Sequence, residues 1–362
     1  MSTDIFNGAF KGKRVLVTGH TGFKGSWLCI WLNELGAEVT GVSLEPYSDK
    51  DNYVLSGIGN KIKADIRADI RDGRKMKEIF AEYRPEIVFH LAAQPLVRLS
   101  YEIPVETYQT NVMGTINIME AIRATDSVKV AVMVTTDKCY DNKEQMRGYK
   151  EDDPMGGYDP YSSSKGACEI AIQSWRRSYF NPEDYGKKHH VSLASVRAGN
   201  VIGGGDWAKD RIIPDCIHAL EAGKPIEIRN PKAVRPWEHV LEPLSGYLLL
   251  AQKMWNDPTG YCEGWNFGPE TESASTVWDV ATQLIQSLGL GELKDVSDPD
   301  ALHEAGMLML DISKAKVRLG WKPRMDVIRT IDLVTDWYKR YQKEETGPDR
   351  RWWSRIRKSS PW

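Results

Sequence analysis

Tyr161 and Lys165, the ends of "YSSSK", stand four residues apart, which on a helix puts both on one face. A cation beside a phenol favours the phenolate, a base suited to a sugar hydroxyl. A second reactive pair lies in "TTDKCY", where Asp137 and Lys138 follow a run (residues 128–134) that reads as a buried strand. The third group is "TGHTGFKGS", with Gly19, Gly22 and Gly25 at the turn from a strand into a helix. Glycine lets backbone N–H groups approach a pyrophosphate without a Cβ in the way. Each signal alone has a plain alternative: YxxxK occurs on many helices without function, an Asp-Lys corner is normally solvated, and turns often use glycine.

The surrounding elements decide between these readings. "RVLVTG", "EVTGVSL", "EIVFHLAA", "VKVAVMVTT" and the start of "HVSLASVRAGNVIGGG" read as strands. Between them, "GSWLCIWLNELG", "DGRKMKEIFAEYRP", "VETYQTNVMGTINIMEAIRATD" and "YSSSKGACEIAIQSWRRSYF" carry apolar residues at helical spacing. Strands alternating with helices of this length predict an α/β fold, a doubly wound parallel sheet with right-handed crossovers. Such a sheet delivers the C-terminal ends of its strands to a common crevice, so the glycine turn, residues 135–138 and Tyr161 would meet there. After Gly203 the pattern turns irregular, with "KPIEIRNPKAVRPWEHV" reading as short strands between proline turns. Residues 1–198 are therefore expected to form the nucleotide-binding domain, with a returning segment near 238–268. Residues 199–237 and 269–362 would form a smaller substrate lobe.

At 362 residues the chain exceeds what one core usually supports, which agrees with two lobes. A net charge of −2 supplies no global field for nucleic acid or an anionic membrane. The one basic cluster, "DRRWWSRIRKSSPW", reads as a terminal segment docked on its own protein. Five cysteines without a CxxC pair suggest neither a disulfide framework nor a zinc site, and no metal is expected. With no signal core at the start and no spanning apolar run, the expected location is cytoplasmic. The ribose end is ambiguous. Glu45 has the usual spacing for the adenosine 2′-hydroxyl, whereas Ser43 lies nearer the strand end. No arginine directly follows the second strand, which favours NAD over NADP.

In this order, "VTGHTGFKGS", "DIRD", "FHLAAQ", "NVMGT" and "YSSSK" resemble the extended short-chain dehydrogenase/reductase superfamily over residues 11–321. Within it, "TTDKCY", "GGGDWAKDRIIPD" and "RPWEHV" resemble the nucleotide-sugar 4,6-dehydratases. The resemblance implies NAD as cofactor and CDP-glucose as substrate. It implies internal hydride transfer from sugar C4 to C6 with loss of water, in deoxysugar and O-antigen biosynthesis. Gly19, Gly22, Phe23, Lys24 and Gly25 would surround the pyrophosphate, with Ser43 near the ribose and Asp69 and Ile70 at the adenine. Leu91, Ala92 and Ala93 would line the cofactor, and Asn111 would support the site. Thr135, Tyr161 and Lys165 would meet the nicotinamide ribose and reacting hydroxyl, joined in catalysis by Thr136, Asp137 and Lys138. Asn200, Arg211 and Arg235 would hold the substrate nucleotide, together with Thr136, Gln94, Arg98 and His239. Dehydratases for other sugars usually carry Thr-Asp-Glu where this chain has Thr136-Asp137-Lys138, so Lys138 departs from that pattern. A nucleotide-sugar 4-epimerase is the rival reading. A homodimer through the helices near Val105 and Tyr161 is implied, with a homotetramer left open.

Overall fold

The computed structural model describes residues 5–145, 147–270, 275–298 and 307–344. Six strands alternate with helices: β1 (Arg14–Thr18), β2 (Glu38–Ser43), β3 (Ala64–Arg67), β4 (Ile87–His90), β5 (Val130–Val134) and β6 (Ser192–Ala198). A seventh strand, Gly264–Phe267, returns from the second half of the chain to pair with β6. The sheet order is Gly264–Phe267, β6, β5, β4, β1, β2, β3, and all its pairings are parallel. Alternate side chains feed two cores, as a sheet buried on both faces requires. Val15, Val17, Phe89 and Val132 pack on one face with Leu28, Leu244 and Leu248. Leu16, Val88, Ala131 and Met133 pack on the other with Ile118 and Ile172. Strand order reverses between β1 and β4, which opens a crevice at their C-terminal ends.

Two elements differ from the sequence expectation. β3 was not anticipated, because "ADIR" is an edge strand with alternate residues exposed and Ile66 its one large apolar side chain. The long helix expected over residues 105–126 is three consecutive pieces, Pro104–Tyr108, a π-helical turn at Gln109–Met113, and Gly114–Arg123. The wider turn carries Asn111, which is 1% exposed. An inserted π turn is a common device for re-aiming a functional side chain.

The irregular second half builds on short pairs: Asn200–Ile202 with Trp237–His239, Val234–Arg235 with Ser275–Thr276, and Ile226–Ile228 with Leu293–Asp295. Helices Ile212–Glu221, Val277–Leu288 and Val327–Glu344 belong to this half. A third core, including Ile213, Ile217, Leu284 and Val334, lies among them. All five cysteines are buried and unpaired. Among the described residues no helix is long and apolar enough to cross a membrane. The basic tail lies outside the described residues.

Candidate active site

A cavity of about 730 Å³ opens at the strand-order reversal and is lined from both halves of the chain. Its cofactor end is built on close backbone approach. Gly19 has φ +76°, and a Cβ there would come 2.7 Å from the backbone nitrogen of Ala92. A Cβ on Gly25 would lie 2.0 Å from the Gly19 carbonyl oxygen. Glycine is therefore required at both positions by packing, besides any need of a ligand. Gly22 caps helix Phe23–Glu34 without a side-chain bond, leaving the first-turn N–H groups of that helix open to an anion. An uncapped helix start over a glycine cradle, floored by Leu91, Ala92 and Ala93, fits a dinucleotide pyrophosphate.

At the ribose end Ser43 and Glu45 both line the cavity. Ser43 Oγ is 2.7 Å from Thr21 Oγ1, while Glu45 accepts from Arg67 Nε at 3.0 Å. Arg67 lies opposite Ser43 in the register of the unanticipated β3, so an arginine does stand beside the end of β2 in space. Its guanidinium is already matched by Asp65 at 2.5 Å and by Glu45. Asp69 and Ile70 line the same end. Burial opposes ionisation of Asp69, but hydrogen bonds from Arg71 hold its carboxyl below the usual range.

Asn111 does not line the cavity. Its Oδ1 accepts from the Gln94 N–H at 2.8 Å, and its Nδ2 donates to Gln94 O and to Ser164 Oγ at 2.9 Å. It thus ties the loop after β4 to helix Pro160–Ser178, which carries Tyr161 and Lys165. Asp159 caps that helix by accepting from Ser162 N–H at 2.9 Å, and Pro160 occupies its first position.

At the catalytic end Thr136, Asp137, Lys138, Tyr161 and Lys165 all line the cavity. Thr136 Oγ1 donates to Asp137 Oδ1 at 2.9 Å. Asp137 is 2% exposed, and its Oδ2 is buried with no hydrogen-bond partner among the described residues. Burial pushes the Asp137 carboxyl above the usual carboxylate range, against the pull of Lys138, Thr136, Arg235 and Lys24. A carboxyl so placed keeps its proton more readily than an exposed one, as a general acid requires. Tyr161 corrects an expectation. Its phenol is pushed up by burial rather than lowered, and the charges that move it most are Asp137, Arg211 and Asp159, not Lys165. Lys165 Nζ donates to Val134 O at 3.4 Å, and burial lowers its ammonium.

Of four further expected residues, Thr135, Gln94 and Lys24 line the cavity. The Thr135 hydroxyl is spent inward, on Glu169 Oε1 at 2.5 Å, where Glu169 pairs with the buried Arg197 at 2.9 Å. Gln94 lines the cavity, but its amide bonds Leu96 O and Leu96 N–H in its own loop and Thr107 Oγ1 on helix Pro104–Tyr108. His239 does not line the cavity. Its Nδ1 accepts from Leu241 N–H at 3.3 Å, and burial lowers the ring to about 4. Lys24, expected around the pyrophosphate, finds its charged neighbours at the catalytic end, in Glu238, Arg211, Asp137 and Lys165. Asn200, Arg211, Arg235 and Arg98 all line the cavity, as do Trp207 and Trp237. Arg211 is held by Asp206 at 2.8 Å and Arg98 by Asp210 at 3.4 Å. Sequence reasoning passed over Asp206 and Glu238, although both stand in the motifs it singled out.

Solved structures share this architecture. A UDP-glucose 4-epimerase of Thermotoga maritima superposes with TM-score 0.78 at 23% identity, covering 91% of this chain and 99% of that one. An NAD complex of dTDP-glucose 4,6-dehydratase from Bacillus anthracis gives 0.75 at 21%, covering 92% and 98%. These show the fold, a Rossmann-type α/β architecture that epimerases and dehydratases have in common. The chain belongs to the GDP-mannose 4,6 dehydratase family, whose model matches residues 16–333. Its relatives include CDP-glucose 4,6-dehydratase of Salmonella typhimurium, 49% identical over 93% of both chains. A dTDP-glucose 4,6-dehydratase of Xanthomonas campestris is 27% identical, over 89% of this chain and 92% of that one.

Proposed function

We propose that the protein converts CDP-D-glucose to CDP-4-keto-6-deoxy-D-glucose and water, with NAD as its resident cofactor. The observation that carries this reading is the buried Asp137, its carboxyl pushed above the usual range, which lines the same cavity as Tyr161. Epimerisation at C4 needs a base but no acid for a leaving hydroxyl. The preference for cytidine rests on the 49% identical relative. NAD would be held by Gly19, Gly22, Gly25 and the start of helix Phe23–Glu34, with Leu91, Ala92 and Ala93. When bound, it supplies the redox chemistry, an oxidation at sugar C4 that is returned as a reduction at C6.

The chain's own groups do the proton work. Tyr161, in the phenolate form that Thr136 and Arg211 favour against burial, takes the O4 proton, and the resulting 4-ketone acidifies C5–H. Asp137 gives its proton to the departing 6-hydroxyl, so water leaves across C5–C6. Lys138, beside Asp137, acts at C5 either as base or by stabilising the enolate. Arg211 and Arg235 hold the diphosphate and nucleotide, a task suited to the planar guanidinium fork. Incubation with a panel of nucleotide-glucose substrates tests the reading. The expected product is lighter than CDP-glucose by one water, whereas an isomer of unchanged mass would mark a 4-epimerase and sink the proposal.

The same reading makes the protein a cytoplasmic homodimer. Val105, Tyr108 and Met113 are exposed on the helical run that carries Asn111, and Ile170 on the helix that carries Tyr161. These apolar side chains support pairing through the two helices.

A further inference from the structure

Glu169 and Arg197 form a buried ion pair that the mechanism above leaves unused. Glu169 stands on helix Pro160–Ser178 and Arg197 on β6, with side chains 4% and 5% exposed. Neither lines the cavity. Glu169 Oε1 accepts from Arg197 Nε at 3.0 Å, and Oε2 accepts from Arg197 Nη2 at 2.9 Å and Ser195 Oγ at 2.8 Å. A Cβ on Gly264 would lie 2.7 Å from Arg197 Nη2, so the strand beside β6 makes room for the guanidinium with a glycine. Replacing a buried ion pair by well-packed apolar residues is often neutral or stabilising, so such a pair calls for a reason beyond stability.

Further hydrogen bonds from the pair reach the two ends of one short segment. Glu169 Oε1 also accepts from the Thr135 hydroxyl at 2.5 Å. Arg197 Nη1 donates to the Tyr140 hydroxyl at 2.6 Å, and that hydroxyl donates to Asn266 Oδ1 at 2.7 Å. Tyr140 is 1% exposed, and its ring stacks on Tyr149 with centroids 5.2 Å apart. Between these anchors, Asp137–Cys139 form one 3-10 turn, which Thr136 caps by accepting from Lys138 N–H at 3.3 Å. The turn also rests on the helix that carries Glu169, since a Cβ on Gly166 would lie 3.2 Å from Cys139 O.

We propose that Glu169 and Arg197 are positioning residues, a clamp that fixes the turn bearing Asp137 and Lys138 from both of its ends. This rests on Asp137 and Lys138 serving the elimination, as proposed above. A fully bonded buried network holds its members in one arrangement, and misplacing a reacting group by about 1 Å can cost ~10²-fold in rate. Tyr161 and Lys165 have holds outside the turn: the Tyr161 N–H donates to Ser100 Oγ and Lys165 Nζ to Val134 O. A loosened turn therefore slows elimination more than oxidation at C4.

The test is a single turnover of the NAD-loaded enzyme with CDP-glucose. Reduced nicotinamide absorbance follows oxidation at C4, and product mass follows loss of water. Tyr140→Phe removes the hydroxyl and keeps the ring. It should slow elimination roughly tenfold or more while oxidation changes by less than about twofold, so that reduced cofactor builds up. Elimination at the wild-type rate overturns the inference, and so do oxidation and elimination slowed alike, which general structural damage would produce. Thr135→Val breaks the other end, and Thr135→Ser keeps its hydroxyl, so elimination should be slow in the first and recover in the second. If Tyr140→Phe does not fold, this pair decides alone, and equal elimination rates in the two overturn the inference. Asp137→Asn separates the two levels: elimination there at the wild-type rate would remove the reading on which the clamp rests. A stalled Asp137→Asn with normal elimination in Tyr140→Phe would remove only the clamp.

Discussion

Replacing Glu169 by Gln should cost about 3 kcal/mol of stability near neutral pH, and that cost should fade in acid. Glu169 sits two turns along the helix from Tyr161, with its side chain 4% exposed. Burial alone would raise its carboxyl, but the charge and hydrogen bonds of Arg197, with bonds from Thr135 and Ser195, bring it down to about 2. Against the ordinary value of 4.5 the difference is about 2.5 units, or about 3 kcal/mol at 1.36 kcal/mol per unit. Truncation data lead to a similar figure, since breaking one member of a buried ion pair typically costs ~3–5 kcal/mol. Because the folded-state value is depressed, the stabilisation is complete above the unfolded value of 4.5 and is lost as pH falls toward 2. Chemical unfolding of wild type and Glu169→Gln across that range is the assay, with bound cofactor absent from both. The gap between the two should be widest at pH 7 and close steadily below about 4.5. A gap constant with pH would refute the electrostatic reasoning and leave only a packing defect.

Tyr161→Phe should preserve folding and cofactor binding while turnover falls ~10²–10⁴-fold, since only the acid–base hydroxyl is lost. Asp137→Asn should let oxidation at C4 proceed while elimination stalls, so reduced nicotinamide absorbance should rise and persist in a single turnover. No such rise, with elimination unaffected, would remove Asp137 from the chemistry. Arg211→Ala should raise KM more than it lowers kcat, because a phosphate contact is made equally in ground and transition states. It also leaves the buried Asp206 without its Arg211 partner, so thermal unfolding should shift down as well. Lys138→Met should slow exchange of C5–H with solvent deuterium, and Lys138→Glu should restore it only if Lys138 is the base. Normal exchange and turnover in Lys138→Met would exclude both chemical roles.

Glycine spacing, the i, i+4 placement of Tyr161 and Lys165, and the β-branched runs are local patterns, and the chain alone determined what they would form. Each depends on steric limits within a few residues, so the nucleotide loop, the central strands and the gathering of residues 135–138 with Tyr161 were legible. β3 was not, because an edge strand with one face in solvent carries too few apolar residues to stand out. The tertiary structure decided everything that depends on distance between segments. Arg67 reaches the end of β2 from the next strand over, and the Thr135 hydroxyl turns to Glu169, 34 positions away in sequence. The direction of each shift at Asp137 and Tyr161 also had to come from the fold. Burial outweighs the neighbouring charges at both, and how deeply a group is buried is fixed by packing from remote parts of the chain.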